Sequence, residues 1–365
     1  MAEPAGRCGA MRILITGICG FTGKALAESL LARMEGVAIT GIDNLLRPGS
    51  EMNRGQLRRM GIGLVHGDVR CASDWSELGE ADWVIDAAAN PSVLAGLGGS
   101  GSSRRLFEHN LASLVNVLEY CREKKAGLLL LSTSRVYSIP ALLRIALRQE
   151  RGRFELDETQ PMQTGLSPAG IGVDFSTAAP ISLYGATKLA SEAMALEYGS
   201  AFGFPVWITR CGVLAGAGQF GTPDQGIFAY WLNAHLRRRP LRYIGFEGNG
   251  FQTRDAFHPR DLCELLVAQM NTCRPGGPRV YTAGGGVRNS MSLAQLTEWC
   301  DGRFGPHPVD KDLQPRPYDI PWIAMDNGRA EADFGWSVNM PIGEILEEIA
   351  AHAGKHPEWL EVSGL

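Results

Sequence analysis

The sequence lacks the features that mark membrane proteins and nucleic-acid-binding proteins. Its longest apolar runs, such as AGLLLLS at residues 126–132, are far shorter than the about 20 residues of a helix that crosses a bilayer. The net charge is −4, so no basic surplus favours nucleic acid or an anionic membrane as a partner. Because the N-terminus does not resemble a signal peptide, we expect a cytoplasmic protein.

Paired cysteines are also missing. The eight cysteines form no CxxC pair and no Cys/His cluster at zinc spacing. Scattered single cysteines are typical of a reducing compartment, so we predict neither a disulfide framework nor a metal site. What the chain does have is 365 residues of which 45% are hydrophobic, enough to bury a large core in one domain or in two closely joined domains.

Short apolar runs alternate with helical stretches through the first 210 residues. Strands are predicted at 11–16, 37–43, 62–68, 82–89, 126–133 and 205–210, and helices at 21–34, 72–78, 105–124 and from about 182. Continuous apolar strands separated by helices indicate a parallel sheet that is covered on both faces. After Arg210 the alternation loosens and Gly, Pro and aromatic residues become frequent, which indicates a smaller second lobe.

A glycine-rich turn follows the first predicted strand. Gly17, Gly20 and Gly23 have GxxGxxG spacing, and such a turn lets the next helix present free N–H groups to a pyrophosphate. The second strand ends at Asp43, at the spacing of about 20 residues where a carboxylate accepts hydrogen bonds from the adenosine ribose. A carboxylate repels a 2′-phosphate, so the sequence predicts NAD rather than NADP, although Arg47 lies nearby and weakens that choice.

A second pattern points to proton transfer. Tyr184 and Lys188 in SLYGATKLA are four residues apart, which puts them on one face of a helix. A nearby ammonium and an oxidised nicotinamide would lower the pKa of the phenol from its usual value near 10 and make it a base. Thr133 ends the fifth strand, at the sheet edge where ligands bind, so its hydroxyl can contact the same substrate oxygen. Either feature alone has a structural explanation, but together with the glycine turn they predict a redox site.

The stretches TGICGFTG, STSRVY, YGATK and QTRDAFHPRD, with Asp43, resemble the extended short-chain dehydrogenase/reductases that act on nucleotide sugars. The resemblance extends from Met11 to about His352. It implies an α/β fold with a doubly wound parallel sheet (Rossmann) and a smaller C-terminal α/β substrate lobe. The implied domains are an NAD-binding domain at 11–209 and a mainly substrate-binding lobe at 210–362, with some segments returning to the first domain.

This resemblance also implies a set of site residues. The implied catalytic residues are Thr133, Tyr184 and Lys188. The implied NAD contacts are Gly17, Gly20, Phe21, Thr22, Gly23, Asp43, Asn44, Asp68, Val69, Ala88, Asn110, Tyr184 and Lys188. The implied substrate contacts are Asn90, Thr133, Gln219, Gln225, Arg254 and Arg316. Among these, Asp68 is expected at the adenine edge, Asn110 is expected to brace the active-site backbone, and the two arginines are expected near the substrate diphosphate.

Three departures from the family pattern are visible. Val213 stands where the family has a polar residue, and Asp86 stands where a histidine is common, so contacts at these two positions are in doubt. The segment between Thr133 and Tyr184 is long. We expect it to fold over the sugar site and to restrict entry through Asp174 or Arg153, although Asp174 is equally explained as a solvated charge.

The expected reaction oxidises a sugar hydroxyl to a keto sugar, with Tyr184 taking the proton. The keto sugar can be reduced on its other face, or lose a neighbouring group, or lose carbon dioxide. The family's dehydratases carry an Asp-Glu dipeptide directly after the hydroxyl residue, but here Ser134 and Arg135 follow Thr133, which argues against 4,6-dehydration. A decarboxylase remains open, and so does a non-catalytic NAD-binding sensor.

Epimerisation makes the fewest demands on the site, because it needs no further catalytic residue. The sequence therefore predicts a nucleotide-sugar epimerase with tightly bound NAD. The stretches IDNLLRPGSE, LSTSRVY, AGQFGTPDQGIFAYW and GNGFQTRD resemble the branch of CDP-paratose 2-epimerases, which implies inversion at C2 of a CDP-hexose. Helices at 105–124 and 184–201 resemble the pair that forms a four-helix interface in this family, so we expect a homodimer.

Overall fold

The computed structural model describes residues 10–95, 102–272 and 277–365. Within these ranges no helix is both long and apolar enough to cross a membrane. The same residues contain no group of His, Cys, Asp and Glu side chains that could hold a metal ion. The six cysteines among them are free, and all except Cys71 are buried.

Strands and helices alternate along the first part of the chain and follow one another less regularly after it. The strands are β1 Arg12–Thr16, β2 Ala38–Asp43, β3 Gly63–His66, β4 Trp83–Asp86, β5 Gly127–Thr133, β6 Leu147–Glu150, β7 Arg153–Leu156, β8 Leu166–Ser167, β9 Gly170–Ile171, β10 Val206–Cys211, β11 Val213–Leu214, β12 Leu241–Ile244, β13 Thr253–Phe257, β14 Val280–Ala283, β15 Ser290–Ser292, β16 Val309–Asp312 and β17 Trp322–Ile323. The α-helices are α1 Phe21–Arg33, α2 Ser50–Arg59, α3 Ala72–Trp75, α4 Ser103–Phe107, α5 Ser113–Lys124, α6 Ile139–Leu143, α7 Ser182–Phe202, α8 Ile227–Leu236, α9 Pro259–Met270, α10 Leu293–Phe304, α11 Gly328–Phe334, α12 Ile342–Lys355 and α13 Trp359–Val362.

A parallel sheet forms the centre of the molecule. Its strand order in the described chain is β14-β10-β5-β4-β1-β2-β3, and each neighbouring pair is parallel. The order runs outward in both directions from β1 and β4, which makes this junction the switch point where ligands bind in doubly wound sheets. The predicted fold class is therefore confirmed. The edge strand β14 comes from the C-terminal half of the chain.

The central strands are apolar on both faces because helices cover both. Along β5, Leu129 and Leu131 pack with the side chains of α1 and α9, whereas Leu128 and Leu130 pack with those of α5 and α7. This alternation follows from the two-residue period of a strand. It explains why the run LLLL is a fully buried strand rather than a half-exposed one.

The second lobe forms around a separate apolar cluster, in which α8, α10 and α12 pack together. A small mixed sheet lies beside it, with β13 pairing with β11 and β17 in parallel and with β15 in antiparallel fashion. The strands β12 and β16 form a further parallel pair. Because β11 follows directly after β10, the small sheet begins where the central sheet ends, and the two lobes share one cleft.

A buried ion pair joins α7 to the central sheet. The Arg210 Nη2 atom on β10 lies 2.7 Å from Glu192 Oε2 on α7, and the two side chains are only 8% and 4% exposed. Ser132 on β5 donates a further hydrogen bond to Glu192. Arg210 also donates to the Val173 carbonyl oxygen at 3.0 Å, which ties the segment before α7 to the sheet.

We predict that Glu192→Gln lowers the free energy of unfolding by about 3 kcal/mol or more, because it leaves the Arg210 guanidinium buried without its counter-charge. Chemical denaturation measures this change. The matched control is Glu347→Gln, which removes an exposed ion pair with Arg303 and should change the free energy of unfolding by about 0.5 kcal/mol at most. Equal effects of the two substitutions would contradict the structural role of the buried pair.

Candidate functional site

One large cavity, of about 900 Å³, opens at the carboxyl edge of the central sheet. Its walls come from the ends of β1, β4, β5 and β10, from the start of α7, and from the second lobe. The predicted site residues that line it are Gly17, Gly20, Phe21, Thr22, Gly23, Asp43, Asn44, Val69, Ala88, Asn90, Thr133, Tyr184, Lys188, Gln219, Gln225, Arg254 and Arg316. The cavity therefore brings together nearly all the residues that the sequence singled out, and Asp68 and Asn110 lie just behind its wall.

The turn between β1 and α1 approaches the end of β4 very closely. Gly17 has a φ of +65°, and a Cβ atom there would lie 2.9 Å from the Ala88 Cα atom. Gly20 then caps α1 without a side-chain hydrogen bond, so the first N–H groups of that helix remain available at the cavity wall. A helix N-terminus of this kind favours an anionic phosphate through its dipole and its free donors.

Asp43, at the end of β2, is held by the backbone. Its carboxylate accepts hydrogen bonds from the Cys19 amide at 2.9 Å and the Leu45 amide at 2.8 Å. Burial raises its pKa, and these two hydrogen bonds oppose the rise. The Arg47 guanidinium donates to Gln225 and to the Phe220 carbonyl oxygen. Because these contacts occupy it, it does not serve as a phosphate ligand beside Asp43.

Asp68 follows β3 but lies outside the cavity wall. It forms an ion pair with Arg70, at 2.6 Å, and accepts a hydrogen bond from Asn44 at 3.0 Å. The Arg70 guanidinium holds the pKa of this carboxyl well below its usual range. Its next neighbour Val69 and its partner Asn44 do line the cavity, so the carboxylate supports that wall from behind.

Asn110 lies on a π-helical turn, Glu108–Ala112, between α4 and α5. Its side chain accepts a hydrogen bond from the Asn90 amide at 2.7 Å and donates one to the Asn90 carbonyl oxygen at 2.9 Å. A π-turn places an extra residue in a helix and is frequent at functional sites. Here it directs an amide onto the backbone of the loop after β4, which is a supporting contact rather than a cavity contact.

The departure at Asp86 has a structural explanation. Asp86 is buried and accepts a hydrogen bond of 2.6 Å from the Thr16 hydroxyl, on the neighbouring strand β1. The Thr16 oxygen in turn accepts the amides of Ala87 and Ala88, each at 3.1 Å. Burial raises the pKa of Asp86, and the positive charge of Lys188 opposes the rise. Asp86 thus stabilises the loop that follows β4, at the switch point of the sheet.

Thr133, Tyr184 and Lys188 meet at the other end of the cavity. The Thr133 side chain interacts with the Tyr184 phenol and lowers its pKa, and the Thr133 hydroxyl oxygen accepts the Arg135 amide at 3.2 Å. The Lys188 ammonium donates to the Leu131 carbonyl oxygen at 3.0 Å. All three side chains are thereby oriented by β5 and the first turns of α7.

The pKa of Tyr184 differs from the expectation. Burial raises it to about 12, while the hydrogen bond from Thr133 and the positive charge of Arg135 oppose the rise. The sequence predicted that Lys188 together with a bound oxidised nicotinamide would lower this pKa. In the structure the ammonium points to Leu131 and its charge acts on Asp86, so the chain by itself does not produce the depressed pKa.

The contact between α7 and the turn after β5 requires a glycine. A Cβ atom at Gly185 would lie 2.2 Å from the Arg135 carbonyl oxygen, a separation that no side chain can adopt. Gly185 directly follows Tyr184, and Arg135 belongs to the short helical turn Ser134–Val136 after Thr133. The close approach therefore sets how near the phenol comes to the hydroxyl.

Guanidinium groups form the wall opposite the dinucleotide-like turn. Arg254 on β13 forms an ion pair with Asp319 at 3.2 Å and donates to the Ile320 carbonyl oxygen at 2.8 Å. Arg316 forms an ion pair with Asp224. Burial lowers the pKa of Arg254, although the group stays charged at neutral pH. These two side chains bring positive charge to the cavity wall.

The polar loop before α8 also borders the cavity. Gln219 donates to the Leu214 carbonyl oxygen at 2.7 Å, and its own side-chain oxygen is buried without a partner among the described residues. Gln225 accepts a hydrogen bond of 2.7 Å from Arg47. Val213, the second departure, lines the same wall with an apolar side chain.

The expectation that the segment before α7 folds over the sugar site is wrong. In the described chain the cavity wall passes from Arg135 directly to Tyr184. The intervening residues form β6–β9 and α6 and bury their apolar side chains against β17 and the residues next to it. Asp174 forms an ion pair with Arg329 at 2.8 Å, and Arg153 forms one with Glu155 at 2.6 Å, and neither residue lines the cavity.

Sequence reasoning missed several charged and polar residues of the cavity wall. Arg135 was considered only as a residue that cannot act as an acid or base, although it stands inside the STSRVY stretch. Arg105 and His109 line the cavity with Val69, and His109 Nε2 is buried without a partner among the described residues. Arg242, on β12, carried no sequence signal because a lone arginine on a strand is usually solvated.

The donors and acceptors of the first lobe fit a dinucleotide. The open N-terminus of α1 suits a pyrophosphate, the Asp43 carboxylate suits ribose hydroxyls, and Lys188 and Tyr184 stand where a nicotinamide riboside would end. The close approach of Gly17 to Ala88 leaves room for a ligand only because neither position carries a larger side chain. These residues would hold NAD.

Comparison with known proteins agrees with this geometry. The NAD dependent epimerase/dehydratase family model matches residues 13–284. A CDP-paratose 2-epimerase of Salmonella typhi is 28% identical over 317 residues, which cover 83% of this chain and 89% of that protein. A dTDP-L-rhamnose 4-epimerase of Burkholderia thailandensis is 27% identical over 364 residues, which cover 93% of this chain and 95% of that protein.

A similar solved structure is the UDP-glucuronic acid 4-epimerase of Bacillus cereus, determined with UDP-glucuronic acid and NAD. The TM-score is 0.75 at 22% sequence identity, and the match covers 94% of this chain and 99% of that chain. At this identity the likeness establishes the fold alone.

We predict that Gly17→Ala lowers the NAD content of the purified protein about tenfold or more, because the new methyl group meets the Ala88 backbone and displaces the turn. The cofactor is released by denaturation and measured by chromatography. The matched control is Gly36→Ala. Gly36 also has a positive φ, +71°, but an added Cβ there meets nothing within 4 Å, so this variant should keep its NAD. Full NAD content in Gly17→Ala would contradict the role of the turn.

Proposed function

The chain belongs to the NAD dependent epimerase/dehydratase family, and we propose that within this family it is a nucleotide-sugar epimerase that works through a transient keto sugar. The observation that carries the proposal is the contact of Thr133 with Tyr184, which lowers the pKa of the phenol, in a cavity that is also lined by the dinucleotide-type turn and by arginines. Such an arrangement aligns a sugar hydroxyl with a proton acceptor while guanidinium groups of the same cavity hold its diphosphate.

Bound NAD supplies the oxidation of a ring hydroxyl to a ketone and its later reduction. Tyr184 takes the hydroxyl proton and returns it from the phenol oxygen. Thr133 donates a hydrogen bond that stabilises the phenolate and orients the sugar oxygen. Lys188 orients the cofactor end of the site and adds positive charge. Arg254 and Arg316 bind the diphosphate, for which guanidinium forks are well suited.

The carboxylates of the cavity favour epimerisation over dehydration. Among the described cavity residues the carboxylates are those of Asp43, Asp224 and Asp319. Asp43 lies at the end of β2, and the other two are paired with arginines. None stands free beside Tyr184 to remove a proton from a neighbouring carbon or to protonate a leaving hydroxyl. Epimerisation needs only that the keto sugar expose its other face.

At the finer level, we propose inversion at C2 of a CDP-hexose. The support is the Salmonella typhi relative, a CDP-paratose 2-epimerase. The competing functions are a dehydratase or decarboxylase of the same family and a protein that binds NAD only as a sensor. Incubating the protein with CDP-, UDP-, GDP- and dTDP-sugars and following the products by NMR separates the first three. Transient reduction of bound NAD, seen by absorbance, separates an enzyme from a sensor.

A homodimer in the cytoplasm completes the proposal. The support for a dimer is a set of large apolar side chains that are exposed on the two helical segments expected at the interface: Phe107 and Val115 on the first, and Leu183 and Met194 on the second. Single exposed apolar residues are common. Four of them on α4, α5 and α7, of which α7 contacts the other two, indicate a surface that is covered in the assembly.

We predict that Tyr184→Phe lowers turnover by about 10³-fold or more while NAD stays bound, because the ring packing remains and only the proton acceptor is lost. Product formation by NMR and cofactor content are measured on the same preparation. Tyr198→Phe is the control, since Tyr198 lies further along α7, donates to Glu119 on α5 and should leave turnover unchanged. Full activity of Tyr184→Phe would remove the basis of the mechanism.

The contact between Thr133 and Tyr184 should also affect how activity depends on pH. The Thr133 hydrogen bond lowers the pKa of Tyr184, so Thr133→Val should raise that pKa and move the acidic limb of the kcat/KM profile to higher pH. Losing a hydrogen bond to a charged group should lower kcat/KM about 10- to 100-fold at neutral pH. Part of this loss should be recovered as the pH rises. Thr133→Ser, which keeps the hydroxyl, should retain the wild-type profile. A Thr133→Val profile with an unshifted limb would contradict the contact.

A further inference from the structure

Arg135 lines the cavity, and among the described residues it forms no ion pair with a carboxylate. Its Nη1 atom donates to the Tyr318 carbonyl oxygen over 3.4 Å, a weak contact that leaves most of its donors free. The side chain borders the cavity together with Tyr184. By contrast, Arg254 and Arg316 are each paired with an aspartate.

The surroundings of Arg135 are electrostatically unfavourable without a ligand. Burial and then the charge of Arg254 lower its pKa to about 10, with Arg316 acting in the same direction and Asp319 opposing. Among the described residues that line the cavity, six arginines and one lysine stand against three carboxylates, so the partly desolvated wall carries an excess of positive charge. A cation that is kept in such a place calls for an anionic ligand to balance it.

The position of Arg135 is fixed relative to the proposed proton acceptor. Its amide donates to the Thr133 hydroxyl oxygen, and its carbonyl oxygen lies against Gly185, next to Tyr184. Its guanidinium reaches the loop that also carries Arg316. Arg135 therefore connects the hydroxyl–phenol pair to the diphosphate-binding arginines.

We propose that Arg135 binds the phosphate that is attached to the sugar and thereby presents the C2 hydroxyl, rather than the C4 hydroxyl, to Tyr184. The proposal rests on the proposed function and assigns the carbon that reacts. Its ligand chemistry is the sugar-bound phosphate of a nucleoside diphosphate, for which a free guanidinium fork is the matching group.

The reacting carbon follows from distance along the sugar. The phosphate is attached at C1, so the C2 hydroxyl is on the neighbouring carbon, whereas the C4 hydroxyl is across the ring. A site that inverts C4 must hold the phosphate a full ring away from the phenol. The positive charge of Arg135 acts on the Tyr184 phenol and lowers its pKa, so a phosphate bound to this guanidinium would lie near the reacting pair, and the adjacent carbon is the one within reach.

Binding of nucleotides without a sugar tests the phosphate contact. Calorimetry on the NAD-loaded protein compares CDP, UDP, GDP and dTDP with the corresponding monophosphates. The variants are then measured with the nucleotides of the base whose diphosphate binds most tightly. Arg135→Gln should weaken diphosphate binding about tenfold or more and change monophosphate binding by less than about twofold, since only the diphosphate has the phosphate in question. Arg135→Lys should fall between, because it keeps a point charge.

The matched control is Arg151→Gln, which removes an arginine with an 84% exposed side chain on the β6–β7 turn and should bind both nucleotides as the wild type does. Thermal unfolding in parallel checks that each variant is folded. Unchanged diphosphate affinity in folded Arg135→Gln, or an equal loss for the diphosphate and the monophosphate, would overturn the phosphate contact.

Isotope transfer tests the carbon. The nucleotide sugar that the wild type turns over is prepared with deuterium at C2 or at C4, and the reduced cofactor released after quenching is analysed by mass spectrometry. Deuterium from C2 supports the proposal, and deuterium from C4 overturns it. If neither label reaches the cofactor although Arg135→Gln loses its diphosphate affinity, the epimerase function fails while the phosphate contact stands.

Discussion

The site depends on the contact between Thr133 and Tyr184, which lowers the pKa of the phenol. This contact joins the end of a central strand to the first turn of a long helix, and these two elements are brought together by the close approach of Gly185 to the Arg135 carbonyl oxygen. The buried pair of Glu192 and Arg210 holds the same helix to the sheet further along. The geometry of the reacting end is therefore set by backbone contact and by buried charge, and not by flexible loops.

Desolvation acts on the charged groups around that contact in a consistent direction. It raises the pKa of Tyr184 and of Asp86, and it lowers the pKa of Lys188 and of Arg135. Burial therefore disfavours the charged form of each group. In such a poorly solvated site, a bound ion has its greatest effect on these groups. Positive charge from a cofactor and negative charge from a diphosphate would restore the balance, and this couples ligand binding to the acid–base state of the site.

The sequence predicted the fold and most of the cavity residues because their signals are local. Gly17 and Asp43 stand at fixed distances from a strand that is recognisable by its apolar run, and Tyr184 and Lys188 share a helix face through a four-residue spacing. Even so, spacing did not place Asp68, whose carboxylate is drawn behind the cavity wall by Arg70. A residue at the position that a motif predicts can still pair with a neighbouring side chain that is not part of the motif.

What the sequence determined by itself is the alternation of strands and helices in the first lobe, the dinucleotide-type turn and the side chains available for proton transfer, because periodicity and short spacings encode these directly. Tertiary structure alone decided three things. The segment before α7 packs on β17 and leaves the cavity open, Lys188 turns to the Leu131 carbonyl oxygen, and Arg135 joins Arg254 and Arg316 in one wall. The reason is that each depends on contacts between residues far apart in the chain, where burial and the nearest opposite charge determine which partner is chosen.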